Sequence, residues 1–287
     1  MEELYWIWLS RIEEIGPVRK KKLLEKFKTP KNIYNTSKNE LLKIDGIGEK
    51  IANAILKKEY KIDLDKYLKY MNKNNIQMYN INQQTYPEKL RNIYDMPIVI
   101  FAKGDINILD NKTIAIVGCR ECSEYGRIIS KQISYALSKQ NINIISGLAR
   151  GIDTSAHLGC LKAKGKTVAI IGNGLDTIYP IENIKIADEI IKNGGLIISE
   201  YLPGVKPLKN HFPARNRIIS GLSDGVIVVE AKEKSGTLIT VDFALEQGKN
   251  VYVIPGNINS PNSVGTNELI KQGAKVVTRL EDIMEDF

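Results

Sequence analysis

Thr113-Ile114-Ala115-Ile116-Val117-Gly118-Cys119-Arg120 runs five β-branched or apolar residues into a glycine and then an arginine. A short run without polar alternation is what a strand buried on both faces looks like, and the glycine behind it permits a sharp turn. Ser123 and Gly126 then open a helical stretch near residues 125–139. The same unit recurs downstream. Further strands are expected at 142–145, 167–171, 196–198, 226–229 and 250–254, with helices near 154–164, 184–192, 215–220, 237–247 and 266–271. Repeated strand–helix units predict an α/β domain over residues 111–287, built on a Rossmann-like, doubly wound, mostly parallel sheet.

Ligands of such sheets sit at the carboxyl ends of the strands. Those ends read Gly118-Cys119-Arg120, then Ser146-Gly147-Leu148-Ala149-Arg150-Gly151-Ile152-Asp153, then Gly172-Asn173-Gly174-Leu175-Asp176 continuing to Tyr179-Pro180. Next come Ser199-Glu200, Glu230 with Ser235-Gly236-Thr237, and Pro255-Gly256. Several of these turns present backbone N–H groups at a helix start, which suits phosphates, so Ser146, Ser235, Gly236 and Thr237 are expected phosphate seats. Several separated seats point to a chain of phosphates rather than to one dinucleotide. From Tyr201 to Ser223 there is no acidic residue, yet Lys206, Lys209, Arg215 and Arg217 are present around His211 and Phe212. Pro203, Pro207 and Pro213 predict a loop until Ala214, a short helix after it, and an extended Phe212. A preset cationic loop around one aromatic ring suits a nucleic-acid strand. The competing use of Phe212 and Ile218-Ile219 is ordinary core, with the cations as a solvated rim.

Residues 1–80 read as a small all-α domain, with Leu4, Ile7, Trp8, Ile12 and Ile15 at helical spacing and a basic amphipathic helix from Lys20 to Phe27. Ile44-Asp45-Gly46-Ile47-Gly48 then leads into a helix. That turn resembles the second half of a helix-hairpin-helix unit, with Ile15-Gly16-Pro17-Val18 as a degenerate first copy. Such hairpins bind DNA backbone or serve as protein scaffolds, and both uses stay open here. A connector is placed at 81–110, carrying Tyr86-Pro87, Asp95-Met96-Pro97 and a short strand at 98–102.

The 287-residue chain carries 41 Lys and Arg against 33 Asp and Glu, a net charge of +8. Residues 1–80 hold 17 of those bases and 11 of the acids, so the excess is concentrated there. A surplus of cations favours an acidic partner. No apolar stretch approaches the roughly 20 residues that span a bilayer, and the chain starts Met-Glu-Glu without a basic, then apolar, export signal. Three cysteines make no disulfide framework, and Cys119-Arg-Glu-Cys122 lacks a second pair for a structural zinc, so no metal is expected. A reducing, cytoplasmic location follows. Gly118 is not followed by Gly-x-x-Gly, and no Gly-x-x-x-x-Gly-Lys-Ser/Thr loop exists, so no cofactor is expected.

Taken in order, the strand-end motifs quoted above resemble those of the bacterial DNA-processing protein DprA family. So do Phe212-Pro213-Ala214-Arg215-Asn216-Arg217-Ile218-Ile219-Ser220-Gly221-Leu222, Val229-Glu230-Ala231 and Ile254-Pro255-Gly256. The Phe-Pro-x-Arg-Asn-Arg run is the specific part, and the resemblance covers nearly the whole chain. It implies a non-enzymatic cytoplasmic homodimer that binds single-stranded DNA without sequence specificity, protects it, and helps load RecA recombinase during natural transformation. By position, the resemblance implies that Arg120 contacts one phosphate, Lys209 a second and Phe212 a base, with Gly118 and Gly147 allowing close approach. Arg215 and Arg217 either reach DNA or brace the loop through Glu200 or Glu230. Many relatives carry a C-terminal winged-helix domain, whereas this sequence ends shortly after Leu280-Glu281-Asp282-Ile283. Two rival functions are a phosphoribohydrolase of nucleoside monophosphates on a related fold and a scaffold for recombination proteins that binds no DNA. The first needs an acid where Thr240 stands.

Overall fold

Short apolar runs bury themselves at the centre of a sheet that, among the described residues, has nine strands in the spatial order 76–80, 99–104, 196–199, 167–171, 143–146, 113–117, 225–228, 250–253 and 275–276. The computed structural model describes residues 2–58 and 64–286; the part of the helical reading that falls on 59–63 lies outside the described residues. Five helices come first: α1 Glu2–Arg11, α2 Pro17–Phe27, α3 Pro30–Asn35, α4 Lys38–Leu42 and α5 Glu49–Leu56. Gly46, at φ +82°, makes the turn between α4 and α5 where the sequence places a helix-hairpin-helix. Then follow α6 Leu64–Lys73, β1 Ile76–Asn80, α7 Glu88–Arg91 and β2 Val99–Gly104.

The expected rhythm begins at β3 Thr113–Val117 and continues through α8 Glu124–Lys139, β4 Asn143–Ser146, α9 Ile152–Lys162, β5 Thr167–Ile171, α10 Ile184–Lys192 and β6 Leu196–Ser199. It closes with α11 His211–Gly221, β7 Gly225–Val228, α12 Gly236–Glu246, β8 Asn250–Val253, α13 Val264–Lys271, β9 Lys275–Val276 and α14 Glu281–Met284. From β6 to β9 across the sheet all neighbours are parallel. Successive side chains point to opposite faces. Ala115 and Val117 accordingly meet Ile218, Ile219 and Val241 on one face, while Ile114 and Ile116 meet Leu137, Ile152 and Ala156 on the other.

Two features differ from the sequence reading. The strand expected in the connector joins the sheet together with an unexpected one: β1 pairs with β2, and β2 with β6, both antiparallel, so 76–80 and 99–104 extend the large sheet. The helical segment is sealed onto that extension, because Trp6, Trp8, Leu9 and Leu23 share one buried cluster with Val99, Phe101 and Leu202. The 81–110 connector, within which the sequence places the domain boundary, thus runs between and into two paired strands. The second difference is α11, which starts at His211 rather than Ala214. Pro213 is the third residue of that helix, where its missing N–H has no partner to lose, so it is accommodated instead of breaking the turn.

Candidate nucleic-acid interface

Strand order reverses between β3 and β7, which lie side by side although β4 to β6 separate them in the chain. Such a switch point leaves a crevice beyond the strand ends. Here it is a cavity of about 650 Å³, lined by residues that include Arg120, Tyr179, Lys209, Phe212, Arg215 and Thr237. The turns that meet there are tied by backbone: Cys119 N–H donates to the Glu230 carbonyl at 2.9 Å.

Phe212 is half-buried in the first turn of α11 and packs into none of the four apolar clusters. The ring thus stands outside those clusters, and Phe212 is helical instead of in the extended conformation expected before Pro213. Its ring faces the cavity instead. The Arg120 guanidinium lies over it, 5.3 Å from the centroid, and the Tyr179 ring stands 5.7 Å away at 36°. Three flat groups are thus arrayed at one wall, and Arg120 and Tyr179 are exposed. His211 anchors the turn by stacking on Tyr201, with 4.0 Å between centroids, and by placing Nδ1 3.1 Å from the Gly172 carbonyl.

Cations complete the rim. Lys209 is exposed and Lys234 also lines the cavity; neither has a hydrogen bond or ion pair among the described residues. Ser235 caps α12 by accepting from Thr237 N–H, at 3.2 Å from its hydroxyl. Gly236 has nothing within 4 Å of where a Cβ would lie, so this helix start is open toward the cavity. Ser235, Gly236 and Thr237 all line the cavity at that helix start. Lys232 is partly neutralised by Glu121 at 3.3 Å.

Other expected site residues have different work. Ser146 is fully buried and its hydroxyl donates to the Ile116 carbonyl at 2.7 Å, so it is a sheet residue and no phosphate seat. Arg217 is 3% exposed; it contacts Glu200 at 2.9 Å and Asp95 at 3.1 Å, so it braces the loop through Glu200. Glu230 takes no part in that brace: it is buried and accepts from Ser123 N–H at 2.9 Å, fixing the start of α8. Arg215 is 5% exposed, and its Nη1 donates to the carbonyls of Gly147, at 2.6 Å, and Ile170. Its Nε has no partner among the described residues, and its side chain forms part of the cavity floor. Burial pulls this guanidinium down to about 10, against the attraction of Asp153. Burial likewise raises the Asp153 carboxyl although Arg215, Gly147 N–H and Ala149 N–H all favour its charge.

The glycines serve these internal approaches. A Cβ on Gly147 would meet the Arg215 guanidinium at 2.3 Å, and one on Gly118 would meet Ile152 at 2.6 Å. Close approach is needed at both positions, but by the protein's own side chains. Tyr179 was quoted among the strand ends without a role of its own, and Lys234 joins the site without having been expected there. Tyr179 lies on the turn after β5, and only packing of α11 against that turn brings its ring to Phe212. No group of three or more His, Cys, Asp or Glu capable of holding a metal occurs among the described residues, and among them no helix is long and apolar enough to cross a membrane.

The family model described as DNA recombination-mediator protein A matches residues 77–287, and a SAM-like helix-hairpin-helix tandem matches residues 9–58. The DNA processing protein DprA of Streptococcus pneumoniae is 47% identical over 209 residues, 73% of each chain. Protein Smf of Synechocystis is 36% identical over 280 residues, 96% of this chain and 70% of the relative. Among solved structures, that of the Streptococcus pneumoniae DprA superposes with a TM-score of 0.85 at 37% identity, covering 99% of this chain and 98% of the other. DNA processing protein A of Helicobacter pylori, whose structure is described as showing a single-stranded DNA binding mode, superposes with a TM-score of 0.66 at 33% identity. That match covers 73% of this chain and 94% of the other.

Proposed function

The chain belongs to the DNA recombination-mediator protein A family, and on that footing we propose that it binds single-stranded DNA without sequence preference at the β3–β7 switch point. One observation carries the reading: the half-buried Phe212 ring, with Arg120 over it and Tyr179 beside it, stands in a cavity rimmed by the cations Lys209 and Lys234. Every base offers a π-face to such a wall, and a duplex keeps its faces stacked away from it. Arg120 can fork onto a phosphate while its plane extends the stack, as a lysine could not. Lys209 and the open start of α12 would take neighbouring phosphates. The role is one of binding, with no chemical step. Protection of the strand, delivery to RecA recombinase and assembly as a homodimer in the cytoplasm are part of the same proposal, and membership of this family supports them. The helical domain, sealed onto β2, is proposed as a fixed part of that platform. Residues 76–110 are proposed to belong to the sheet domain.

Phe212→Ala tests the reading. Stacking is worth about 1–3 kcal/mol per base, so single-strand affinity should fall about 5- to 100-fold while its salt dependence stays nearly constant. Melting temperature measured on the same preparation should change little. A large loss of melting temperature with full affinity in the folded fraction would remove the stacking role.

A further inference from the structure

A second cleft of about 240 Å³ opens on the far side of Arg120, lined by Arg120, Glu121, Arg127, Lys131, Gly151 and Thr154 among others. Arg120 and Glu121 border the first cavity too, so the two lie consecutively on one surface. Gly151 brings them together. Its φ is +76°, and a Cβ there would meet the carbonyl oxygens of Cys119 at 2.3 Å and Arg120 at 2.5 Å. The start of α9 is thereby pressed beneath the Cys119–Arg120 turn, and the groove between α8 and α9 begins where the first cavity ends.

The charges of this groove are almost unspent. Arg127 and Lys131 are four residues apart on α8 and so share a face. Lys131 is exposed and makes no hydrogen bond or ion pair among the described residues. Arg127 pairs with Glu124 at 3.2 Å, with both side chains more than half exposed, a contact of little energetic weight. Among the described residues Glu121 is the single carboxylate of the lining, and it is shared with Lys232. No aromatic ring of the described residues lines the cleft. A groove with cations and no stacking surface recognises a backbone and leaves bases unread.

We propose that the single strand seated at Phe212 continues over Arg120 into this second cleft, where Arg127 and Lys131 engage its next phosphates. The inference rests on the single-strand reading above and adds a direction of travel to it. Arg120 then acts as the shared post between a stacking station and a backbone station.

The test compares the wild-type protein with Lys131→Gln and with Arg127→Gln/Lys131→Gln, on oligothymidines of about 4 and about 16 nucleotides, the range covered by single-strand sites. Glutamine keeps helix propensity at both exposed positions. On the long strand the slope of log K against log salt should become shallower by about 0.7 for the single and about 1.4 for the double variant. The short strand is held by the first cavity and does not reach Arg127 or Lys131. Its affinity should therefore stay within about twofold of wild type in both variants. An unchanged long-strand slope in the double variant overturns the second cleft. Equal losses on both lengths also overturn it, by showing a general field. If the wild-type protein binds neither length, the single-strand reading has failed and this inference falls with it, a result visible before any substitution is made.

Discussion

Arg120, Arg215 and Arg217 look alike in the sequence and do three different things. Arg120 is exposed over an aromatic ring, Arg215 is sunk under the cavity with its Nη1 on two carbonyls, and Arg217 is locked between two carboxylates. Their roles are half legible in the sequence: the Phe-Pro-x-Arg-Asn-Arg run marks the place, but residue type does not reveal burial. A long cation reads as a surface charge until its partners, Glu200 and Asp95, arrive from distant parts of the chain. Ser146 differs from expectation for a smaller reason, since β4 runs one residue further than its apolar run and carries the serine into the sheet. Arg217→Met should cost about 3 kcal/mol of stability in denaturant unfolding, the low end for breaking a buried pair, because both carboxylates keep some solvent. Its single-strand affinity in the folded fraction should stay close to wild type. Undiminished stability with lost affinity would instead make Arg217 a DNA contact.

The interior strands are legible because burial on both faces leaves an unmistakable run of β-branched and apolar residues. Strands at the margins are not: β1 pairs with β2 alone and mixes buried and exposed positions, and β9 is two residues long. The start of α11 is hidden because Pro213 reads as a breaker, whereas a helix tolerates proline in its first turn. The docking of α2 on the sheet is equally invisible, and it carries its own test. Lys20 on α2 donates to the Ser10 carbonyl at 2.6 Å near Glu200 and Arg217. Burial, the largest cause, pushes its ammonium from 10.5 down to about 8, although Glu200 pulls the other way. Between those two values the unfolded chain keeps a proton that the folded chain has released, so this group makes stability rise with pH from about 8 to about 10.5. The thiols of Cys119, Cys122 and Cys160 are shifted upward and act in the opposite sense, but they cancel when two variants are compared. The stability of wild type minus that of Lys20→Met should therefore climb across this window and be level below it. A difference level at every pH would mean that Lys20 is fully solvated.

Across the molecule, one sheet sets the register of everything that matters. Its parallel strands bring separate turns to one edge, its antiparallel extension seats the helical domain, and its switch point opens the cavity. The net charge of +8 is a weak guide to that site, because the surplus lies mainly in residues 1–80 while the cleft cations come from the α/β unit. What identifies the site is cations that no described carboxylate neutralises, beside rings that no core absorbs. A strand held there should release counterions, in proportion to its phosphate contacts, and leave a duplex behind. Equilibrium binding of single- and double-stranded oligonucleotides of one sequence, from about 50 to about 200 mM salt, measures both properties at once. With about three or four phosphates engaged, the single strand should bind more tightly than the duplex, with a log–log slope near −2 to −3 and an affinity loss of about 15- to 60-fold over that range. Equal affinity for the two forms, or a flat salt profile, would contradict a cleft built for single-stranded DNA.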